Sequence, residues 1–241
     1  ITVTGLTNGS GYTFKVAAKN AAGTGDAGVS TSYIPRRAPD APTGVAAVVD
    51  NTGGVDVSWT APANTGGNAI SDYTLQSCVV DVCATFVRTA STATSVKVTG
   101  LVKGTAYTFQ VAAKQVAGVS GYSTRSSVVV PRTVPGVPQN VTAVANNIGG
   151  AEVEWDAPAS DGGAEISDYQ VTICAVTDCT NYGVNVSTNN QLSFTLPEIP
   201  TRTMVGYDWY FLVRAVNIAG PGQQATKVGP VKPRRAPNAP A

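Results

Sequence analysis

The residues best placed for covalent chemistry are four cysteines in two matched pairs, Cys78 with Cys83 and Cys174 with Cys179. They sit in near copies of one pattern, SDYTLQSCVVDVC from Ser71 to Cys83 and SDYQVTICAVTDC from Ser167 to Cys179. A zinc site takes about four ligands, whereas each copy offers two thiols and the chain has no histidine. The spacing also differs from the Cys-x-x-Cys of redox catalysts. Without histidine the usual general base and proton shuttle are missing, and Ser-His-Asp and Cys-His arrangements are excluded.

Carboxylates are the remaining candidates for acid–base work. The densest set is Glu152, Glu154, Asp156, Asp161, Glu165 and Asp168. The first three alternate with Val153 and Trp155, which reads as the solvated face of a strand. The loop SDGGAE lacks the Asp-x-Asp-x-Asp-Gly arrangement of many calcium loops. Glycine-rich NTGG (64 to 67) and NNIGG (146 to 150) are followed by no GK[ST] and read as turns. No catalytic residue, metal site or cofactor is expected.

The elements that would position the cysteines are strands. In a hairpin closed by a four-residue loop, positions five apart face each other across an antiparallel pair at a Cα separation of about 4.5–5.5 Å, within reach of a disulfide. Disulfides Cys78–Cys83 and Cys174–Cys179 are therefore expected, with free buried thiols or metal and redox chemistry as the alternatives. If Tyr73 and Leu75 point inward, Cys78 points outward, which predicts a bridge on the outer face of the hairpin. Elsewhere the same alternation recurs. Val55, Val57 and Trp59 share one strand face, and Tyr107, Phe109, Val111 and Ala113 share another. Trp59, Trp155 and Trp209 all fall at inward positions, which favours core packing over an exposed aromatic platform for sugars. Short strands between Gly, Pro, Asn and Asp clusters predict an all-β fold of tandem seven-stranded antiparallel β-sandwiches.

The pattern repeats along the chain. GLTNGSGYTFKVAAKN (5 to 20) returns as GLVKGTAYTFQVAAKQ (100 to 115), and GGVDVSWTAPANTGGNAISDY (53 to 73) as GGAEVEWDAPASDGGAEISDY (149 to 169). The joints IPRRAPDAP, VPRTVPGVP and KPRRAPNAP punctuate it. The expected organisation is the C-terminal part of one unit at 1–37, complete units at 38–133 and 134–236, and the start of another at 237–241. Proline beside charge in the joints, including Arg36, Arg37, Arg234 and Arg235, favours extended, stiffened backbone over a protease or polyanion site.

The Trp of an early strand, the ISxY strand after it and the LxxGTxYxFxVxA run of Leu101 to Ala113 resemble fibronectin type III domains, in a version similar to those of bacterial secreted and surface proteins. The resemblance implies a tyrosine corner at Tyr12 and Tyr107, with each hydroxyl bonded to nearby backbone. In the last unit Trp209 stands where Tyr107 does, and Tyr207 lies two residues earlier behind PEIPTRTMVG. The same frame turns Tyr210 and Leu212 outward beside Thr172, a possible interaction patch. The hairpin cysteines are a departure from the typical family pattern.

Charge narrows the partners. Sixteen basic and fifteen acidic residues leave a net +1, so no basic field draws nucleic acid. No apolar run nears the about 20 residues of a membrane helix. Asn8, Asn140 and Asn185 open N-x-[ST] sequons, which matter only in a glycosylating cell. The expectation is a non-catalytic structural or interaction segment of a long extracellular repeat protein such as a surface fibre, filament or adhesin stalk. Its partners would be neighbouring repeats, copies of the same protein, or a protein or glycan ligand. The alternative is a set of accessory spacer modules in a secreted polysaccharide-degrading enzyme.

Overall fold

The structure is a computed structural model that describes residues 1–86, 90–146, 149–175, 179, 184–196 and 208–232. Two compact units emerge. The first comprises 1–48, 55–98 and 106–129; the second comprises 49–54, 99–105 and 130–241. The second unit therefore takes in two short turns that precede its own strands in sequence.

Unit 1 begins with four two-residue strands, β1 (Lys15–Val16), β2 (Lys19–Asn20), β3 (Gly23–Thr24) and β4 (Gly28–Val29), paired β1 with β4 and β2 with β3. The remaining strands follow: β5 (Thr43–Val49), β6 (Val55–Thr60), β7 (Asp72–Val79), β8 (Val82–Phe86), β9 (Ser95–Val98), β10 (Thr108–Gln115) and the two-residue β11 (Gly118–Val119). They form two antiparallel sheets, ordered β5-β6-β9 and β11-β10-β7-β8. Their inward residues make the core. Val55, Val57 and Trp59 of β6 are buried, as are Tyr73 and Leu75 of β7 and Phe109, Val111 and Ala113 of β10. Trp59 meets Tyr73 edge-on with centroids 5.2 Å apart. Each of the valine, leucine and phenylalanine side chains among them, taken fully from water, contributes roughly 1.5–3 kcal/mol.

Unit 2 repeats the plan with β12 (Gln139–Ala145), β13 (Ala151–Asp156), β14 (Ile166–Cys174), β15 (Val184–Ser187), β16 (Ser193–Leu196), β17 (Trp209–Asn217), β18 (Gly220–Pro221) and β19 (Val228–Val231). The sheets are β12-β13-β16 and β15-β14-β17-β18, with β19 also on β17. Trp155, Tyr169, Val171, Trp209, Phe211 and Val213 are buried in one cluster. Among the described residues no helix is long and apolar enough to cross a membrane.

Candidate interaction surfaces and the disulfide hairpins

Both cysteine pairs are joined, and no described cysteine is free. The Cα separations are 4.0 Å for Cys78–Cys83 and 5.3 Å for Cys174–Cys179. In the first hairpin the ladder runs on past the bridge to Val79 opposite Val82. Only Val80 and Asp81 then form the turn, two residues in place of the four between the cysteines. Val80 sits in the left-handed region at φ 53°, a conformation a β-branched residue rarely takes.

Alternation predicts a bridge on the outer face of the hairpin and is silent on what covers that face. Cys78 does lie on the face opposite Tyr73 and Leu75, yet it is fully buried, and Cys174 is nearly so. Long polar side chains cover that face. Arg125 donates from Nη1 to the Val80 carbonyl at 2.6 Å, places Nη2 3.6 Å from Cys83 Sγ, and pairs with Asp81 at 3.4 Å. Gln110 Nε2 lies 3.7 Å from the same sulfur and donates to Gln76 Oε1 at 2.7 Å. A period-two pattern marks which side a residue takes; it is silent on a cover supplied from 42 residues away.

Tyr12 accepts a hydrogen bond on its hydroxyl from the Thr7 N–H at 3.0 Å. That bond favours the phenolate and holds the Tyr12 pKa below its ordinary value. Tyr107 is buried, stacks on Phe109 at 6.5 Å and pairs with Val129 across an isolated bridge. Trp209 occupies the equivalent place in β17, buried and paired with Val231. Tyr207 and the preceding loop lie outside the described residues, as do Arg234, Arg235 and 237–241.

Thr172, Tyr210 and Leu212 come together on one face of unit 2, with Thr172 opposite Leu212 and Cys174 opposite Tyr210 in the ladder. Little of them reaches water. Thr172 is buried, donating to Asn185 Oδ1 at 2.5 Å and accepting from Gln224 Nε2 at 2.9 Å. Tyr210 and Leu212 are half-buried, and the Lys227 ammonium sits 4.4 Å from the Tyr210 ring centroid. Glu152, Glu154 and Asp156 all stand exposed on β13, and Asp156 accepts from Asn140 Nδ2 at 2.7 Å.

Two features of the site escape a period-two reading. The first is a serine ladder. The N–H groups of Ser120, Ser123 and Ser126 donate to the carbonyls of Ala113, Val111 and Phe109 at 2.8–2.9 Å. Their Oγ atoms accept the N–H of those same three residues at 2.9–3.0 Å. Three residues on one side thus match two on the other. Ser30 does the same to Phe14. In unit 2 the frame persists with Gly222 on Ala215 and Ala225 on Val213, without hydroxyls. A side chain at 222 has no room, since its Cβ would stand 2.4 Å from the Pro135 carbonyl. The second feature is a glycine clasp present once in each unit. Gly66 accepts from the Arg37 N–H at 3.0 Å, and Gly162 from the Thr133 N–H at 2.8 Å. A Cβ on either would meet the carbonyl of its partner at 2.2 Å. Gln115 Nε2 then donates to the Arg37 carbonyl at 2.6 Å, and Asn217 Nδ2 to the Thr133 carbonyl at 2.8 Å. Gly-Gly at equal repeat offsets was the available signal for the clasp, and Ser-x-x-Ser-x-x-Ser for the ladder.

Comparison with known proteins agrees with the sheets just described. The family model for the fibronectin type III domain matches residues 40–129. A fibronectin type III domain-containing protein of Margaritifera margaritifera is 29% identical over 218 residues, covering 88% of this chain and 27% of that protein. Chitinase A1 of Niallia circulans is 37% identical over 147 residues, covering 56% of this chain and 20% of that protein. The chain thus spans about a quarter or less of the curated relatives it matches. The crystal structure of chicken CNTN1 FN1-FN3 domains aligns with a TM-score of 0.45 at 19% identity, over 95% of this chain and 78% of that one. With its paired antiparallel sheets and Trp–Tyr core, the segment 40–129 belongs to the fibronectin type III family.

Proposed function

We propose that the chain is a non-catalytic spacing and interaction segment of a long extracellular repeat protein. The observation that carries this reading is the glycine clasp, built twice from Arg37 with Gly66 and from Thr133 with Gly162. A backbone contact that excludes even a methyl group, repeated beside the two proline joints that the described residues include in full, fixes local geometry and offers no chemistry. The disulfides support an oxidising compartment outside the cytosol. Boundaries at 37/38, 133/134 and 236/237 follow from the joints as part of the same proposal. The partners are neighbouring repeats and copies of the same protein.

The second reading is favoured by the likeness to a chitinase: accessory modules of a secreted enzyme acting on a polysaccharide, with the catalytic part elsewhere in the protein. Electron microscopy of the intact protein discriminates them. Extended, beaded particles support the repeat-protein reading. A compact particle carrying a glycosidase activity supports the enzyme. Polysaccharide hydrolysis by the purified chain itself overturns both.

A further inference from the structure

Unit 1 ends one of its sheets on an edge strand that lacks the usual guards against further pairing. β8 lies at the end of its sheet and, among the described residues, pairs only with β7. Natural edge strands are usually guarded by charge, proline or a bulge. Val82, Cys83, Ala84, Thr85 and Phe86 carry no charge and no proline, and their register against β7 is unbroken.

The backbone groups facing outward can be assigned. With a two-residue turn at Val80–Asp81, the closing pair Val79–Val82 is hydrogen-bonded, and so by alternation are Ser77–Ala84 and Leu75–Phe86. Cys78–Cys83 and Gln76–Thr85 are the close, non-bonded pairs, in keeping with the 4.0 Å Cα separation of the cysteines. Cys83 and Thr85 therefore point their N–H and C=O groups away from β7. The side chains of Val82, Ala84 and Phe86 share the face of Leu75, and that face opens to solvent toward the turn, where Val82 is 79% and Val79 37% exposed.

We propose that β8 pairs antiparallel with β8 of a second copy of this chain, with Ala84 on the two-fold axis. In that register Cys83 faces Thr85 of the other copy twice over, and all four outward N–H and C=O groups of each strand's Cys83 and Thr85 find partners. Ala84 meets its own image with no side chain to obstruct it. Val82 of each copy lies beside Phe86 of the other in a close, non-bonded pair, so one apolar row closes over the seam. Symmetry places identical residues near each other, and β8 has no charged side chain of its own to repel its image, while the Arg125 guanidinium beside Cys83 is paired with Asp81. The disulfide and the Arg125 hydrogen bond to Val80 hold the hairpin in shape before pairing, which lowers the ordering cost of association. Another uncharged strand at the end of a sheet, β15 of unit 2, has the shorter sequence VNVS and lacks the matching aromatic.

Sedimentation equilibrium of the 241-residue chain under non-reducing conditions tests this. The wild-type chain is expected to dimerise as concentration rises. Ala84→Lys and Ala84→Glu are each expected to be monomeric, and an equimolar mixture of the two to recover the dimer as a heterodimer. Thr85→Pro removes an N–H that points away from β7, so it should abolish the dimer while leaving the circular dichroism spectrum unchanged. A wild-type chain that stays monomeric at its highest soluble concentration overturns the proposal. So does a dimer indifferent to these substitutions, or a lysine and glutamate mixture that stays monomeric while both chains are folded.

Discussion

Ser123 and Val111 are tied by two hydrogen bonds of different kinds: the Ser123 N–H donates to the Val111 carbonyl at 2.9 Å, and the Val111 N–H donates to Ser123 Oγ at 3.0 Å. The hydroxyl stands where a neighbouring strand would offer a carbonyl, and donates its own hydrogen bond to the Thr124 carbonyl at 2.8 Å.

Replacing Ser123 by alanine leaves the buried Val111 N–H without its acceptor. Such a loss costs about 1–3 kcal/mol. Urea denaturation followed by tryptophan fluorescence should show a lower midpoint with an unchanged slope. Ser123→Thr, which keeps the oxygen, should lose less.

Removing the first bridge by Cys78→Ser with Cys83→Ser should destabilise by roughly 2 kcal/mol on the chain-entropy estimate for so short a loop. The fully buried Cys78 position accepts a polar oxygen poorly. The variant's reduced and non-reduced melting temperatures should then differ only through the Cys174–Cys179 bridge, as read by calorimetry.

Gly66→Ala and Gly162→Ala each force a Cβ onto a carbonyl oxygen at 2.2 Å, at φ values of 73° and 79°. Backbone strain of this kind alone costs about 1–3 kcal/mol. Hydrogen exchange should reveal the damage locally, with faster exchange at the Arg37 N–H in the first variant and the Thr133 N–H in the second, since each donates to the substituted residue.

Burial raises the pKa of Tyr73 and Tyr169 above the ordinary tyrosine value. The folded state then holds these protons more tightly than the unfolded chain, so their contribution is complete below the unfolded pKa of about 10 and is lost as pH rises through the folded values. Circular dichroism across this range should show alkaline unfolding, and Tyr73→Phe with Tyr169→Phe should move its onset upward.

Strand alternation was enough to place Trp59, Tyr73, Leu75, Phe109 and Val111 on inward faces, because one buried face imposes a period of two on the residues themselves. It also put the cysteines in a hairpin. The burial of Cys78 was not legible, since the Arg125 and Gln110 side chains that reach its partner Cys83 come from 42 and 27 residues away in sequence. Nor was the serine ladder, whose period of three matches neither strand nor helix and has meaning only against the partner strand's period of two. The clasp was visible as repeated glycines, but its reason, a carbonyl within a methyl's reach, belongs to tertiary structure alone. Thr172, Tyr210 and Leu212 were placed side by side by the register; the Lys227 and Gln224 that cap them were not in it.

The second compact unit claims 49–54 and 99–105, turns that the sequence repeat assigns to the preceding copy. Gly104 approaches Gly163 there so closely that a Cβ on Gly163 would stand 2.5 Å from the Gly104 nitrogen, and in unit 1 Gly9 and Gly67 repeat the fit at the same 2.5 Å. The sequence repeat and the packed unit are thus out of phase: a repeat cut at the proline joints carries Gly163 but leaves Gly104, against which it packs, with the preceding copy.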